Sequence, residues 1–187
     1  MSDTLDFTLS FSIFIFTFYI KSMIILGIDP GTATTGFGVL ESSGGKISAI
    51  DHGCILTDSK LEMPERLNLI GEQLKKIITK YKPHAIAVEE LFFFKNAKTA
   101  ISVGEARGVV LYIGKSMELE VFEYTPLQVK QAVVGYGRAE KKQVQNMVKM
   151  ILGLNVIPKP DDAADALAVA ICCANSMKLE GKINKSR

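Results

Sequence analysis

Four acidic residues stand where their carboxylates could do chemistry together. Asp29 ends the apolar run that begins at Met23, and Glu89 follows a second, shorter apolar run. Asp162 and Asp165 are three residues apart at the start of a helical pattern, so they share one helix face. Four gathered carboxylates would repel one another strongly, and hard divalent ions such as Mg²⁺ take such all-oxygen sites. Two ions about 4 Å apart could bind the attacking water and the leaving oxygen of a phosphodiester.

Each acid taken singly also has an ordinary structural explanation. Asp161 or Asp162 could cap the helix that begins there, because a helix N-terminus favours negative charge. Asp29 and Glu89 could be solvated loop residues. A joint chemical role therefore requires a fold that brings the two strand ends and this helix together.

The hydrophobic spacing predicts the elements that would do this. Residues 23–29, 35–42 and 46–57 predict three consecutive antiparallel strands with short connections. Apolar residues at helical spacing predict a helix over residues 63–83, and a fourth strand follows at 85–93. The remaining elements, in order, are a helix at 96–117, a strand at 120–126, helices at 125–133 and 139–152, and a last helix from Asp161.

This order predicts an α/β protein with a ribonuclease H-like fold, in which a mixed five-stranded sheet has helices on both faces. In this fold strands one and four are neighbours and the last helix can lie across their ends, so the four acids would meet. Neither a repeat nor a linker divides the sequence, and we expect one ribonuclease H-like domain over residues 23–177. Residues 178–187 are polar and basic, and we expect a flexible tail there.

The composition is typical of a globular protein and narrows the function only slightly. The chain has 187 residues, 48% of them hydrophobic, and a net charge of +2. So mild a charge does not by itself indicate a nucleic-acid partner. Cys54, Cys172 and Cys173 form no CxxC pair, which argues against a thiolate zinc site and fits a reducing, cytoplasmic environment.

The first 22 residues differ from the rest of the chain. Residues 7–20 are uncharged and mostly apolar, but they are too few for a comfortable transmembrane helix. Asp3 and Asp6 precede this run, and no A-x-A cleavage pattern follows it, so a secretory signal is disfavoured. We expect Met23 to be the native start and residues 1–22 to be upstream translation or a poorly ordered extension, with a membrane anchor as the alternative.

Five stretches occur in a fixed order along the chain, "GIDPGTATTGFGVL", "AVEELFFFKNA", "ARGVVL", "VKQAVVGYGRAEKKQVQ" and "DDAADALAVAI". Together they resemble the RuvC family of bacterial Holliday junction resolvases, from about Met23 to Ile171. The resemblance implies a homodimeric endonuclease that makes paired symmetric nicks in four-way DNA junctions during recombination and repair. It also implies two Mg²⁺ ions per active site, for which Mn²⁺ can substitute, and the branch-migration proteins RuvA and RuvB as partners.

The resemblance also implies roles for individual residues. The family's catalytic, metal-binding acids fall on Asp29, Glu89, Asp162 and Asp165, and two lysines near its active site fall on Lys130 and Lys141. Lys141 is the expected catalytic lysine, acting on charge that develops at the phosphate.

The DNA contacts beyond the acids are expected in two segments. Lys130, Arg138, Lys141 and Lys142 could hold phosphates, although a solvated helix face would show the same basic pattern. Phe92 matches an aromatic that the family uses at the open junction centre, where it could stack on an unpaired base, and Asn96 continues a polar edge beside it. The helix containing "GEARGVVLYIGKSM" is expected to contribute to the dimer interface, although ordinary core packing would also explain its composition.

Three other functions remain open at this point. The stretch "GIDPGTATTG" also fits the phosphate loop of actin-like and sugar-kinase ATPases, but a second phosphate loop is not evident. A junction-binding protein without activity is disfavoured because all four acids are present. The third alternative is a ribonuclease H-like nuclease that acts on RNA or hybrids, and its substrate preference would distinguish it from a junction nuclease.

Overall fold

The computed structural model describes residues 22–90 and 97–183, and the side chains of residues 22–90 and 100–177. Within these ranges the chain forms the following elements in order: β1 Met23–Asp29, β2 Thr34–Ser43, β3 Lys46–Leu56, α1 Met63–Tyr81, β4 Ala85–Glu89, α2 Ala97–Ser116, β5 Glu120–Tyr124, α3 Pro126–Val134, α4 Lys141–Ile151 and α5 Asp161–Ile183. The predicted succession of strands and helices is confirmed.

The five strands form one mixed sheet in the order β3-β2-β1-β4-β5. The first three strands are antiparallel neighbours, whereas β4 lies parallel to both β1 and β5. Gly44 and Gly45 join β2 to β3 with φ of 57° and 85°, which only a two-glycine turn adopts easily. The predicted ribonuclease H-like sheet, with helices on both faces, is confirmed.

Alternation along β1 divides the core into two layers. Ile25 packs with the buried residues of α3, α4 and α5, whereas Leu26 and Ile28 pack with those of α1 and α2. Side chains two residues apart on a strand share a face. Asp29 therefore lies on the same face as Ile25, towards α5.

Helix α5 lies directly on the sheet because glycines replace side chains beneath it. A Cβ at Gly27 would stand 2.2 Å from the carbonyl oxygen of Ala166, and one at Gly36 would stand 2.0 Å from that of Asp162. Gly38 is paired with Gly27 across β1 and β2, and a Cβ at Gly38 would likewise overlap with Leu167 of α5. The backbone of α5 is thus held at a fixed height over the sheet.

Most elements begin and end within two residues of their predicted boundaries, and two differ by more. Helix α5 continues to Ile183, beyond the domain end expected at residue 177, because residues 178–183 include good helix formers and no proline. The flexibility expected for residues 178–187 stays a prediction. Strand β4 ends at Glu89, so Glu90 of its expected range follows the strand, and residues 91–93 lie outside the described residues.

The expectations for residues 1–22 also fall almost entirely outside the described residues. Within residues 22–90 and 97–183, none of the helices combines the length and the apolar character that spanning a bilayer requires. The expected start at Met23 stays a prediction, although Met23 is the first residue of β1 and pairs with Ser42.

We predict that Gly27→Ala destabilises the protein by about 3 kcal/mol or more, because the new methyl group overlaps backbone atoms of α5 that cannot move aside. Gly71→Ala in α1 is the matched control, since its Cβ would meet Val109 at an ordinary 3.4 Å. Alanine also favours the helix by about 1 kcal/mol relative to glycine. Urea unfolding of both variants measures the difference. Equal stability of the two variants would contradict the direct contact of α5 with the sheet.

Candidate active site

The first two acids meet because β1 and β4 are parallel neighbours. Ile28 is paired with Val88, so Asp29 and Glu89 occupy the next position at the ends of their strands. A hydrogen bond joins the two carboxyl groups and offsets part of the rise in the pKa of Glu89 that burial and the charge of Asp165 cause. The strand ends thus bring Asp29 and Glu89 into direct contact, as predicted.

The turn after Asp29 is fastened by threonines. The hydroxyl of Thr35 donates to the carbonyl of Gly31 at 2.6 Å, and that of Thr57 donates to the carbonyl of Thr32. Arg66 of α1 donates from Nε to the Thr57 hydroxyl at 2.8 Å. These bonds fix the path of the chain as it leaves β1, and so fix the direction of Asp29.

The other two acids come from the first turn of α5. Its contact with Gly36 holds Asp162 over the strand position opposite Asp29. Asp165 forms an ion pair with Lys141, whose Nζ lies 2.9 Å from its Oδ2. Lys141 is the first residue of α4, and its Nζ also lies 3.6 Å from Oδ2 of Asp161. The structure therefore brings together all four predicted acids and the predicted catalytic lysine.

The pKa values show how strongly the acids affect one another. Burial, together with the charges of Glu89, Asp165 and Asp162, raises the pKa of Asp29 to about 8. Burial and the charge of Asp165 likewise raise the pKa of Glu89 to about 7. Such shifts arise when carboxylates are both desolvated and close to like charges.

Lys141 is a positive charge that opposes this repulsion at Asp29 and Glu89, and Lys130 also works against the rise in the pKa of Glu89. Burial is the main cause that raises the pKa of Asp165, while its hydrogen bond to Lys141 works against the rise. Partial burial would lower the pKa of Lys141, but the hydrogen bond to Asp165 and the nearby aspartates raise it instead. The lysine is therefore charged when it faces the site.

A pocket of about 220 Å³ opens beside these residues. Glu89, Asp165, Lys130 and Lys141 supply its charged wall. Its apolar wall consists of residues from α3, α4 and α5, namely Pro126, Val129, Val144 and Ala168. A concave site with convergent charged groups and shifted pKa values is the usual form of an active site.

The chemistry of the donors fits hard divalent cations. Asp29, Glu89, Asp162 and Asp165 offer only oxygen ligands, and their mutual repulsion is what such cations relieve. Among the residues that the structure describes, no three His, Cys, Asp or Glu side chains form a closed ligand set. Metal binding by these four residues stays a prediction.

The predicted DNA-contacting residues fall in three places. Lys130 lines the pocket with Lys141. Arg138, in the loop between α3 and α4, and Lys142, in the first turn of α4, are exposed to solvent. Phe92 and Asn96 lie outside the described residues, so their predicted roles stay predictions.

Two residues near the site had no predicted role there. Cys54 of β3 is paired with Gly36, which is itself paired with Asp29, so Cys54 lies two strands from Asp29 in the same row. Burial and the charge of Asp162 raise the pKa of Cys54 to about 11. Asp161, interpreted as a possible cap, pairs instead with Lys159 and Lys141. The register of β3 on β2 places Cys54 near the site and could have indicated this position. A single cysteine, however, forms no motif that would reveal it in the sequence.

The chain matches known proteins over most of its length. The family model described as crossover junction endodeoxyribonuclease RuvC matches residues 25–173. A RuvC of Halothermothrix orenii is 58% identical over 160 residues, covering 86% of this chain and 97% of the relative. A RuvC of Syntrophomonas wolfei is 56% identical, covering 88% of this chain and 95% of the relative.

Solved structures give the same result. A structure of Thermus thermophilus RuvC in complex with a Holliday junction substrate has a TM-score of 0.80 and 36% identity, covering 84% of this chain and 96% of that one. The yeast mitochondrial Holliday junction resolvase, at 14% identity and a TM-score of 0.63, covers 87% of this chain and 83% of its own and shares the fold. A family match over residues 25–173, on a ribonuclease H-like sheet whose strand ends carry the expected acids, leads to one conclusion: the chain belongs to the crossover junction endodeoxyribonuclease RuvC family.

Proposed function

We propose that this protein is a Holliday junction resolvase, a metal-dependent endonuclease that hydrolyses phosphodiester bonds by paired symmetric nicks in four-way DNA junctions. The observation that carries the proposal is the meeting of Asp29, Glu89, Asp162 and Asp165 at one sheet edge, beside Lys141. Membership of the RuvC family supports it. The family's role in recombination and repair, with RuvA and RuvB as partners in branch migration, is part of the same proposal.

The four acids would hold divalent cations, with Mg²⁺ as the proposed metal, two ions per site, and Mn²⁺ as a substitute. When bound, such cations supply Lewis-acid polarisation and charge neutralisation at a phosphodiester. The chain's own residues would bind the phosphate and stabilise its charge. The pocket admits the phosphate, Lys130 attracts it, and the charged Nζ of Lys141 stabilises the negative charge that develops on its oxygens.

The function is tested with a synthetic four-way junction, next to a linear duplex and an RNA–DNA hybrid of the same sequence, each with and without Mg²⁺. We expect metal-dependent cleavage of the junction in preference to the other two. Preferential cleavage of the hybrid would instead indicate a ribonuclease. Release of phosphate from ATP without cleavage of any nucleic acid would favour the phosphate-loop alternative.

In this assay we predict that Asp29→Asn abolishes junction cleavage, at least a thousandfold, at every Mg²⁺ concentration. Asparagine keeps the size of the side chain but removes the charge that would hold a cation. Junction binding in metal-free buffer should persist, because a negative charge facing phosphate has gone. The matched control is Glu90→Gln, which changes the acid that directly follows the last residue of β4. Near-normal turnover of Asp29→Asn would remove this carboxylate from the mechanism.

The same variant has a stability signature that separates lost chemistry from lost folding. In the unfolded chain Asp29 releases its proton near its ordinary pKa of 3.8, but the folded state retains it to about pH 8. The folded state therefore binds more protons between these values, and its free energy of unfolding falls as the pH rises from 5 to 8. In metal-free buffer the free energy of unfolding should therefore fall between pH 5 and pH 8 by at least about 1 kcal/mol less in Asp29→Asn than in wild type. Urea unfolding of both proteins at the two pH values measures this difference.

Neighbouring lysines of α4 separate catalysis from binding. We predict that Lys141→Ala lowers the cleavage rate about a hundredfold with little change in affinity, because its Nζ faces Asp165 and the pocket. Lys142→Ala should instead weaken binding, with a shallower dependence of affinity on salt, because its side chain is exposed beside the site. Single-turnover rates and binding titrations measure the two effects. An equal shift in affinity for both variants would contradict the catalytic role of Lys141.

Paired nicks require two active sites, so we propose a homodimer with α2 at its interface. The outer side of α2 exposes Ile101 and Tyr112, at 67% and 70%, and the position of Gly108 between them is open. These residues recur at the spacing that places them on one helix face. The exposed Glu105 shares this otherwise apolar face, which would fit the same face of a second copy across a two-fold axis.

Sedimentation of the purified protein at micromolar concentration should therefore give a dimer without DNA. Tyr112→Glu places a charge in the proposed interface and should produce a monomer that has lost coordinated nicking. Met150→Glu, at an equally exposed apolar residue of α4, should leave the dimer intact. A wild-type monomer that still nicks both strands in concert would overturn the homodimer.

A further inference from the structure

The loop between α3 and α4 presents an exposed aromatic side chain. Tyr136 lies between Gly135 and Gly137 and is 47% exposed. Gly135 ends α3 with a φ of 91°, a left-handed conformation that suits glycine, and its N–H donates to the carbonyl of Gln131. The reversal of the chain at this glycine leaves Tyr136 on the surface.

The ring of Tyr136 is held in place from α4. Its hydroxyl donates to Oε1 of Gln143 at 2.8 Å, and the same oxygen accepts the backbone N–H of Glu140 at 2.8 Å. Glu140 immediately precedes Lys141, so the tyrosine is fastened to the turn that carries the catalytic lysine. An aromatic ring anchored at its hydroxyl loses little further freedom when a ligand covers its face.

The other side of the loop rests on the rim of the pocket. A Cβ at Gly137 would lie 2.1 Å from Cδ1 of Leu127, so the loop backbone sits directly on that side chain. Leu127 is 56% exposed and follows Pro126, which lines the pocket. Tyr136 and Leu127 are thus two exposed apolar side chains joined through the loop, and Leu127 is adjacent in the chain to the pocket residue Pro126.

Positively charged residues occur close to these two apolar side chains along the chain. Lys130 lines the pocket, Arg138 follows Gly137 in the loop, and Lys142 is in the first turn of α4. A ligand that matches both features needs negative charge at a regular spacing and flat apolar faces between. A nucleic-acid strand has this chemistry, and aromatic side chains stack on its bases while basic residues follow its phosphates.

We propose that Tyr136 is a nucleotide-stacking residue, which packs on a base flanking the phosphate that is cleaved and thereby helps to set that phosphate in the pocket. This role rests on the proposed function, because it places the cleaved strand between the acids and the α3–α4 loop. The hydroxyl bond to Gln143 aims the ring, and the ring face makes the contact.

The test uses three variants of the full chain and one four-way junction. Tyr136→Ala removes the ring and should lower the single-turnover cleavage rate at subsaturating protein roughly tenfold or more. Tyr136→Phe keeps the ring and should stay within about twofold of wild type, since a lone exposed hydrogen bond contributes little. Met150→Ala removes an exposed apolar side chain at the far end of α4 and should cleave as wild type does.

A second set of junctions identifies the contact. Each carries an abasic site at one position flanking the cleaved bond, which removes the base and leaves the sugar and phosphate. When the abasic site is at the position whose base Tyr136 contacts, wild type and Tyr136→Ala should cleave equally, because the junction offers no base for the ring to stack on. At the other positions the deficit of Tyr136→Ala should remain.

Three outcomes would overturn the assignment. They are wild-type cleavage by Tyr136→Ala, a deficit in Tyr136→Phe as large as that in Tyr136→Ala, and a deficit that no abasic position abolishes. The second would mean that the hydroxyl acts on α4 and that the ring makes no contact. Unfolding curves for each variant show whether folding is intact. Wild-type protein that fails to cleave any junction would count against the proposed function, whereas normal cleavage by Tyr136→Ala counts against the stacking role alone.

Discussion

Helix α5 packs directly on the sheet, and this contact determines where the four acids lie relative to one another. Gly27, Gly36 and Gly38 leave no side chains beneath the helix, so its backbone meets the strands at van der Waals distance. A larger residue at any of these positions would lift the helix and carry Asp162 and Asp165 away from Asp29. Since a metal site tolerates only small changes in ligand position, close packing in the core would set the geometry of the proposed metal site.

The carboxylates gathered by this packing oppose the stability of the fold. Burial and mutual repulsion raise the pKa values of Asp29 and Glu89 far above those of free carboxyl groups. A sequence selected for stability alone would not place four acids at one sheet edge. Local conflicts of this kind are expected at functional sites, where the ligand rather than the fold supplies the compensating charge. Lys141 supplies part of that charge from within the chain.

The proposed site lies at the ends of β1 and β4, between two surfaces that belong to opposite faces of the sheet. On the α3–α4 side, the pocket, Leu127, Tyr136 and the basic residues form a surface suited to a DNA strand. On the opposite layer, α2 presents Ile101 and Tyr112 to a proposed second copy. An ion pair between Arg107 of α2 and Glu123 of β5 links the helix to the strand next to β4. The spacing between two proposed active sites would therefore be set by rigid elements rather than by loops.

The order and type of the elements could be read from the sequence, because hydrophobic periodicity and turn residues act over a few neighbouring positions. The four acids were also indicated, since their positions at strand ends and on one helix face are local properties. The folded chain was needed to show that Lys141 pairs with Asp165, that Cys54 lies in the row of Asp29, and that the hydroxyl of Tyr136 donates to Gln143. Each of these relations joins residues from different parts of the fold. Their distances follow from how closely α5 approaches the sheet and how α4 packs on α5, and three-dimensional packing of this kind leaves no periodic signal in the sequence.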